Sequence, residues 1–155
     1  MLENNGSGKT TLLNMILHKE VWVHPNLRMG YYSQLEETLN YEKTILDNIL
    51  PDSIYDQSMT RIILACLGFK INDVFKKVQV LSDGEKSKVK LAKLLTDDFN
   101  YLMMDEPTNF LDLHAIEVLE GLLQGYDRPL LFVTHDVSFI NHIADSLLLV
   151  EYDQF

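Results

Sequence analysis

The sequence predicts an α/β fold built on a mostly parallel sheet. Two continuous apolar runs, "YLMMDE" (Tyr101 to Glu106) and "PLLFVTH" (Pro129 to His135), each close on polar residues. That is the pattern of strands buried on both faces with their active groups at the strand ends. A helical repeat separates the two runs, and a glycine-rich stretch, "NNGSGKTT" (Asn4 to Thr11), leads straight into another helical repeat.

Taken in order, "TTLLNMILHKE" has apolar residues at helical spacing, so a helix is expected from Thr10 to about His18, with the glycine stretch at its N-terminus. "VWV" (Val21 to Val23) and "RMGYYS" (Arg28 to Ser33) are short β-prone runs separated by His24-Pro25-Asn26, a turn signal, and Gln34 ends the second run. From Leu35 to Val80 the pattern is helical and irregular: "TILDNIL" is stopped by Pro51, "MTRIILACLGF" carries Gly68 near its end, and "NDVFKK" follows. This stretch reads as a small helical insertion. "DGEKSKVKLAKLL" is amphipathic, with Val89, Leu91, Leu94 and Leu95 facing inward and lysines outward. Asp112 is placed to cap a helix running to about Leu123.

The chain of 155 residues is 46% hydrophobic and 23% charged, suited to one globular domain with its own core. Its apolar runs are far shorter than the roughly 20 residues of a spanning helix, and no signal-peptide pattern precedes the glycine stretch. The expectation is a soluble, cytoplasmic protein. Cys66 is the single cysteine, which excludes an internal disulfide; its neighbours "IILACLGF" predict a buried structural thiol. A formal net charge of -10 has the wrong sign for wrapping nucleic acid, so direct sequence-specific nucleic-acid binding is not expected. Residues 59 to 95 carry a local excess of Arg61, Lys70, Lys76, Lys77, Lys86, Lys88, Lys90 and Lys93, which a solvated helix face accounts for better than a phosphate-rich partner does.

The glycine stretch has the chemistry of a phosphate cradle. Gly6 and Gly8 let successive backbone N–H groups turn toward a polyphosphate at the positive end of a helix. Lys9 then reaches the β- and γ-phosphates as a point charge, and the Thr10 hydroxyl ligates Mg²⁺. A bare Gly-Ser-Gly is often only a flexible turn; the Lys-Thr-Thr and the helix after it favour phosphate binding. Asp105 and Glu106 put two carboxylates at the end of a buried strand, costly without a partner. A metal and a water supply that partner: Asp105 holds Mg²⁺ through its hydration shell, and Glu106 polarises the attacking water. His135 follows its own strand and is expected at the same edge of the sheet. His18, His24, His114 and His142 lack metal-ligand spacing and read as structural.

Together these strings resemble the ATP-binding cassette ATPases, which are P-loop NTPases. "NNGSGKTT" is similar to the Walker A motif (Asn5, Gly6, Ser7, Gly8, Lys9, Thr10 and Thr11), and Gln34 after "YYS" to the Q-loop. "LSDGE" (Leu81 to Glu85) resembles the signature, "YLMMDE" Walker B, "FLD" (Phe110 to Asp112) the D-loop, and His135 the switch histidine. They occur in the family's order and cover essentially the whole chain. The resemblance implies an ATPase core over 1–34 and 81–155 and a helical subdomain over 35–80. It also implies catalytic roles for Glu106, His135 and Gln34, with Thr10, Gln34 and Asp105 around Mg²⁺. Ser82, Asp83, Gly84 and Glu85 would act on the nucleotide of a second cassette, on the same polypeptide or in a dimer. "DEPTNFLD" looks like the ABC-F branch, whose string differs only by a histidine where Phe110 stands. That branch includes antibiotic-resistance members, has no membrane domain and acts on the ribosome, so ATP, Mg²⁺ and a ribosomal partner are implied. The alternatives are the ATPase subunit of a membrane transporter and a degenerate, non-catalytic fragment.

Three departures from the family pattern stand out. Glu3 occupies the place of the first Walker A glycine, Asp83 stands where the signature usually has glycine, and the strand expected before the loop is missing. The chain therefore reads as a truncated cassette, by a false start or a broken gene, and is expected not to hydrolyse ATP by itself.

Overall fold

The computed structural model describes residues 9–18, 20, 22, 24–33 and 38–148, and for residues 9 and 10 the backbone alone. Three parallel strands form the sheet in the order β1-β2-β3: β1 Met29–Tyr32, β2 Tyr101–Asp105 and β3 Leu130–Val133. Their register pairs Met29 with Tyr101, Tyr32 with Met104, and Met104 with Phe132. Parallel neighbours need a crossover. Here α2 (Ile45–Ile49), α3 (Gln57–Cys66) and α4 (Asp83–Thr96) lie between β1 and β2, and α5 (Leu113–Gln124) lies between β2 and β3. Helix α1 (Lys9–Leu17) precedes the sheet and α6 (Val137–Ile143) follows it. This is the expected α/β class.

Successive residues Leu102, Met103 and Met104 are all 0% exposed, so β2 is covered on both faces. Strand side chains alternate between faces, and a run buried without alternation requires cover on each. Leu91, Leu94 and Val89 of α4 are buried as expected, while Leu95 is only partly so. Leu119 and Leu123 of α5 join the same core with Phe139 of α6, whose ring meets Phe132 edge-on at 5.2 Å.

Between β1 and α4 the described residues include helices as expected, and α2 and α3 each begin on a side-chain cap. Thr44 caps α2 by accepting from the Asp47 N–H, and Asp56 caps α3 by accepting from Met59. Gly68 ends α3 at φ +92, with its N–H donating to Ala65 O and the Phe69 N–H to Leu64 O. Those two bonds are a Schellman closure, and the left-handed residue at its centre favours glycine. Buried Asn48 is satisfied by Asn40 and Thr44: its amide donates to both carbonyls and its oxygen accepts from the Asn40 N–H. Helices α2 and α3 both pack on α4.

Two expectations need comment. Cys66 is exposed, not buried. Leu64 and Leu67 turn fully inward, and the helical repeat carries Met59, Ile62 and Cys66 to the outer face of α3, so the apolar composition of the segment concealed which residues face the core. In the first β-prone run, Val21 and Val23 lie outside the described residues and Trp22 is 84% exposed, outside any strand.

Along β3, a groove of about 900 Å³ is lined by Leu12, Leu13, Leu131, Val133, Leu147 and Leu148. All four β3 residues are only partly buried. Among the described residues, no helix is long and apolar enough to cross a membrane.

Leu91 is completely buried beside the sheet. Leu91→Ala is expected to destabilise the fold by about 2–5 kcal/mol, read as a lowered urea midpoint with little change in slope.

Candidate functional site

The polar ends of the three parallel strands come together at one edge of the sheet. Asp105, the last residue of β2, is in register with Val133, and the Glu106 N–H continues the ladder by donating to Val133 O at 2.8 Å. Glu106 is half-buried, and its carboxylate is held at both oxygens. One accepts from the His135 backbone N–H at 3.3 Å, and the other lies 3.3 Å from His135 Nε2. The structure thus brings Asp105, Glu106 and His135 together, as their positions at strand ends require. Tyr32 closes β1 at the same edge; burial pushes its hydroxyl up to about 12, so it remains a phenol.

The chain turns sharply after Glu106. Glu106 and Phe110 both have positive φ, 48° and 59°. Between them lie buried Pro107 and Thr108, and the turn closes through Asn109 N–H to Glu106 O and Leu111 N–H to Thr108 O. Proline disfavours a right-handed helical conformation for the residue before it, and left-handed backbone on a non-glycine residue stores about 1–3 kcal/mol. The surrounding bonds offset that cost. Asp112 ends the turn as the N-cap of α5, accepting from the Ala115 N–H at 2.9 Å, and its second oxygen accepts from Lys88 Nζ at 2.6 Å. The Lys88 hydrogen bond, ahead of the Ala115 N–H, holds the Asp112 carboxyl below its ordinary range.

The signature-like residues form the start of α4. Ser82 is its N-cap in a reciprocal capping box: Ser82 Oγ accepts from the Glu85 N–H, and Glu85 Oε2 accepts from the Ser82 N–H at 2.8 Å. These bonds, the backbone one first, hold the Glu85 carboxyl below its ordinary value of 4.5. Asp83 is exposed and pairs with Lys86 at 3.1 Å, so its charge is partnered within the first turn. Gly84 abuts the turn after β2: a Cβ there would stand 3.0 Å from Phe110 O.

The structure leaves other expected groups out of view. Asn5, Gly6, Ser7, Gly8 and Gln34 lie outside the described residues, as does Glu3. Lys9 and Thr10 are placed by backbone only, in the first turn of α1, followed by Thr11. Among the described residues, no group of three or more His, Cys, Asp or Glu could hold a metal. The four histidines read as structural form no such group. His18 bonds to Asn14 O, His24 accepts from the Asn26 N–H, His142 pairs with Glu120, and His114 is exposed. Of the basic excess, Lys76, Lys77, Lys86, Lys88 and Lys93 pair with Asp73, Glu42, Asp83, Asp112 and Asp52, which favours the solvated-face reading.

Two features escaped the sequence reading. The left-handed residue at Phe110 had a faint signal, because the related string has histidine there and histidine enters that region several-fold more readily than most residues. The Lys88–Asp112 contact had none: the residues are far apart in sequence and meet only through the fold.

Comparison with known proteins gives a consistent result. The family model described as ABC transporter matches residues 2–109. YdiF of Bacillus subtilis (strain 168) is 41% identical over 153 residues, covering 93% of this chain and 24% of that protein. The ribosome protection protein VmlR of the same organism is 36% identical over 151 residues, covering 94% of this chain and 28% of that protein. Among solved structures, the archaeal ribosome recycling factor aABCE1, in complex with archaeal ribosomal stalk protein aP1, matches with a TM-score of 0.72 and 26% identity. That match covers 93% of this chain and 30% of the other. The chain therefore spans less than a third of each of these relatives.

The strained turn and the capping box each generate an expectation. Phe110→Asn places a residue tolerant of left-handed backbone at φ 59 and should raise stability by about 0.5–1 kcal/mol in urea unfolding. Because the folded pKa of Glu85 is depressed below 4.5, its contribution is fully present above that pH and is lost as pH falls through the lower folded value. Glu85→Gln should therefore flatten the dependence of the urea midpoint on pH below about 4.5.

Proposed function

The chain belongs to the ABC transporter family, on its ABC-F branch, and from that premise we propose that it is the ATP-binding cassette of an ABC-F type ATPase. It binds and hydrolyses Mg-ATP to drive association with and release from the ribosome. The observation that carries this reading is the Glu106 carboxylate, fixed at the open end of a buried strand by both His135 groups and adjacent to Asp105.

A general base must be oriented before it can act, and its geometry matters before its pKa. The two contacts from His135 orient Glu106 with the backbone strain already in place, so little reorganisation is needed when a water is engaged. In this reading Glu106 takes a proton from the water that attacks the γ-phosphorus in line. His135, exposed at the same edge, stands near the γ-phosphate and keeps Glu106 in place. Lys9 and the amides of residues 5 to 8 carry the phosphate charge, with Asn5, Ser7 and Thr11 completing the loop. Asp105 fits Mg²⁺ as a hard carboxylate ligand at the half-buried strand end, together with Thr10 and Gln34. When bound, the ion neutralises charge on the β- and γ-phosphates.

Residues 1–34 and 81–155 serve as the ATPase core and residues 35–80 as the helical subdomain. Cassettes of the family act in pairs, and Ser82 to Glu85 serve the nucleotide of a second cassette. Hydrolysis accordingly needs that partner. VmlR is a ribosome protection protein and aABCE1 a ribosome recycling factor. These two support a cytoplasmic, ribosomal partner over the membrane domain of a transporter.

In the intact protein with its paired cassette, Glu106→Gln should lower kcat for phosphate release by about 10²–10⁴-fold while preserving ATP binding. The same variant with ATP should sediment with ribosomes. Parental turnover would remove Glu106 from its role, and failure to sediment with ribosomes would remove the ribosomal assignment.

A further inference from the structure

Helix α3 is covered on one side only. Thr60 and Leu64 are fully buried, whereas Met59, Ile62 and Cys66 face outward, with Ile62 56% exposed. Residues three and four apart on a helix are neighbours, so these three form one continuous stripe. Exposed apolar residues are ordinary when scattered singly, but a joined stripe marks a contact surface. Phe75, in the short 3-10 turn Asp73–Phe75, is equally exposed and widens it. The Arg61 guanidinium lies over that ring, 5.1 Å from its centroid, which places Phe75 along the flank of α3.

Arg61 lacks a counter-charge. Among the described residues it makes no ion pair, and its Nε is buried without a hydrogen-bond partner. The acids on the same two segments are engaged elsewhere: Asp73 pairs with Lys76 at 2.7 Å and accepts from the Lys70 N–H, and Asp56 caps α3. Lys76, Lys77, Lys86, Lys88 and Lys93 all have carboxylate partners, which sets Arg61 apart within the basic stretch. A guanidinium held on a ring and partly out of water is costly alone, and the same low dielectric strengthens its bond to any carboxylate that reaches it. Its planar fork matches a carboxylate through two parallel hydrogen bonds.

We propose that the outer face of α3 docks an amphipathic helix bearing carboxylates, its apolar ridge on Met59, Ile62 and Cys66 and one Asp or Glu on Arg61. Helices meet by laying such ridges into each other's grooves. The charge is complementary: residues 59–77 carry Arg61, Lys70, Lys76 and Lys77 against Asp73 alone, whereas the whole chain has a formal net charge of -10. An acidic helix is therefore attracted to this face and repelled by most of the remaining surface. Nucleic acid would satisfy the guanidinium but leave the apolar stripe in water. The face lies on a different element from Asp105, Glu106 and His135, so the inference stands apart from the ATPase reading.

The probe is a fluorescein-labelled synthetic helix with leucines at i, i+3 and i+7 and glutamates beside them. A second peptide carries lysine in place of every glutamate, and polyuridine RNA is the third ligand. Binding to the full-length protein without nucleotide is read by fluorescence anisotropy. Alkylation of the Cys66 thiol by iodoacetamide, located by mass spectrometry, reports whether this face is covered. The acidic peptide should bind saturably and, at about ten times its Kd, slow Cys66 alkylation about tenfold. Arg61→Glu should weaken it by about ten- to a hundredfold and confer binding of the lysine peptide, a swap that a misfolded variant cannot produce. Ile62→Ser should weaken the acidic peptide about tenfold and leave the urea midpoint unchanged. No binding of the acidic peptide, equal binding of the two peptides, or parental binding by either variant overturns the proposal. Polyuridine that protects Cys66 in place of the acidic peptide assigns the face to nucleic acid and overturns it as well.

Discussion

Burial of β2 on both faces is the constraint on which the rest of the molecule depends. A strand with no solvent-facing side can carry polar chemistry only where it ends, so Asp105 and Glu106 stand at the one point where Leu102, Met103 and Met104 give way to open space. The helices are fixed by the same requirement. Leu91 of α4 and Leu119 of α5 lie in the same buried cluster as Leu102 and Met104, with no exposure. The start of α4 meets the turn that follows the carboxylates, with Gly84 against Phe110 O and Lys88 on Asp112. The site is thus a by-product of covering an apolar strand, refined by a few specific contacts.

The refinement is concentrated in the turn after β2. Two left-handed non-glycine residues in five are costly, and here the cost is offset by the ladder bond to Val133, the contacts of Glu106 with His135 and the capping of α5 by Asp112. None of these bonds is strong alone. They share one short segment, so loosening any one releases strain at the others.

Much of this was legible in the sequence because it depends on period and chemistry. Two apolar runs ending in acids or histidine specify buried strands and the edge they share. The alternation of apolar residues and lysines from Asp83 to Thr96 specifies the face of α4, and Asp112 before an apolar repeat specifies a cap. What was not legible depends on three-dimensional neighbours. Cys66 reads as core because its neighbours are apolar, yet α3 has only one covered face, and Met59 and Ile62 share the cysteine's exposure. The charge at Asp83 looks ill placed in the string "LSDGE", and only the fold shows it paired with Lys86. Phe110 gives no local sign of its backbone conformation beyond its difference from the related string.

The register of the sheet also bears on how the chain acquires its shape. Leu102 finds Leu130 across one short helix, whereas Met29 must find Tyr101 across the whole of α2, α3 and α4. The longer closure costs under about 1 kcal/mol more in chain entropy, but it delivers nothing until the intervening helices have condensed. The β2–α5–β3 unit, together with the local contacts of α2 and α3 on α4, is therefore expected to assemble ahead of β1. Arrival of β1 is secured by a small polar clasp outside the ladder. The Arg28 N–H donates to Asn100 Oδ1, the Asn100 N–H returns to Arg28 O, the Asn100 amide donates to Asn26 O, and the Arg28 guanidinium pairs with Asp98. Because the clasp seats Met29 opposite Tyr101, it sets the first rung of the ladder and so disfavours a one-residue slip, which would turn every β1 side chain to the wrong face.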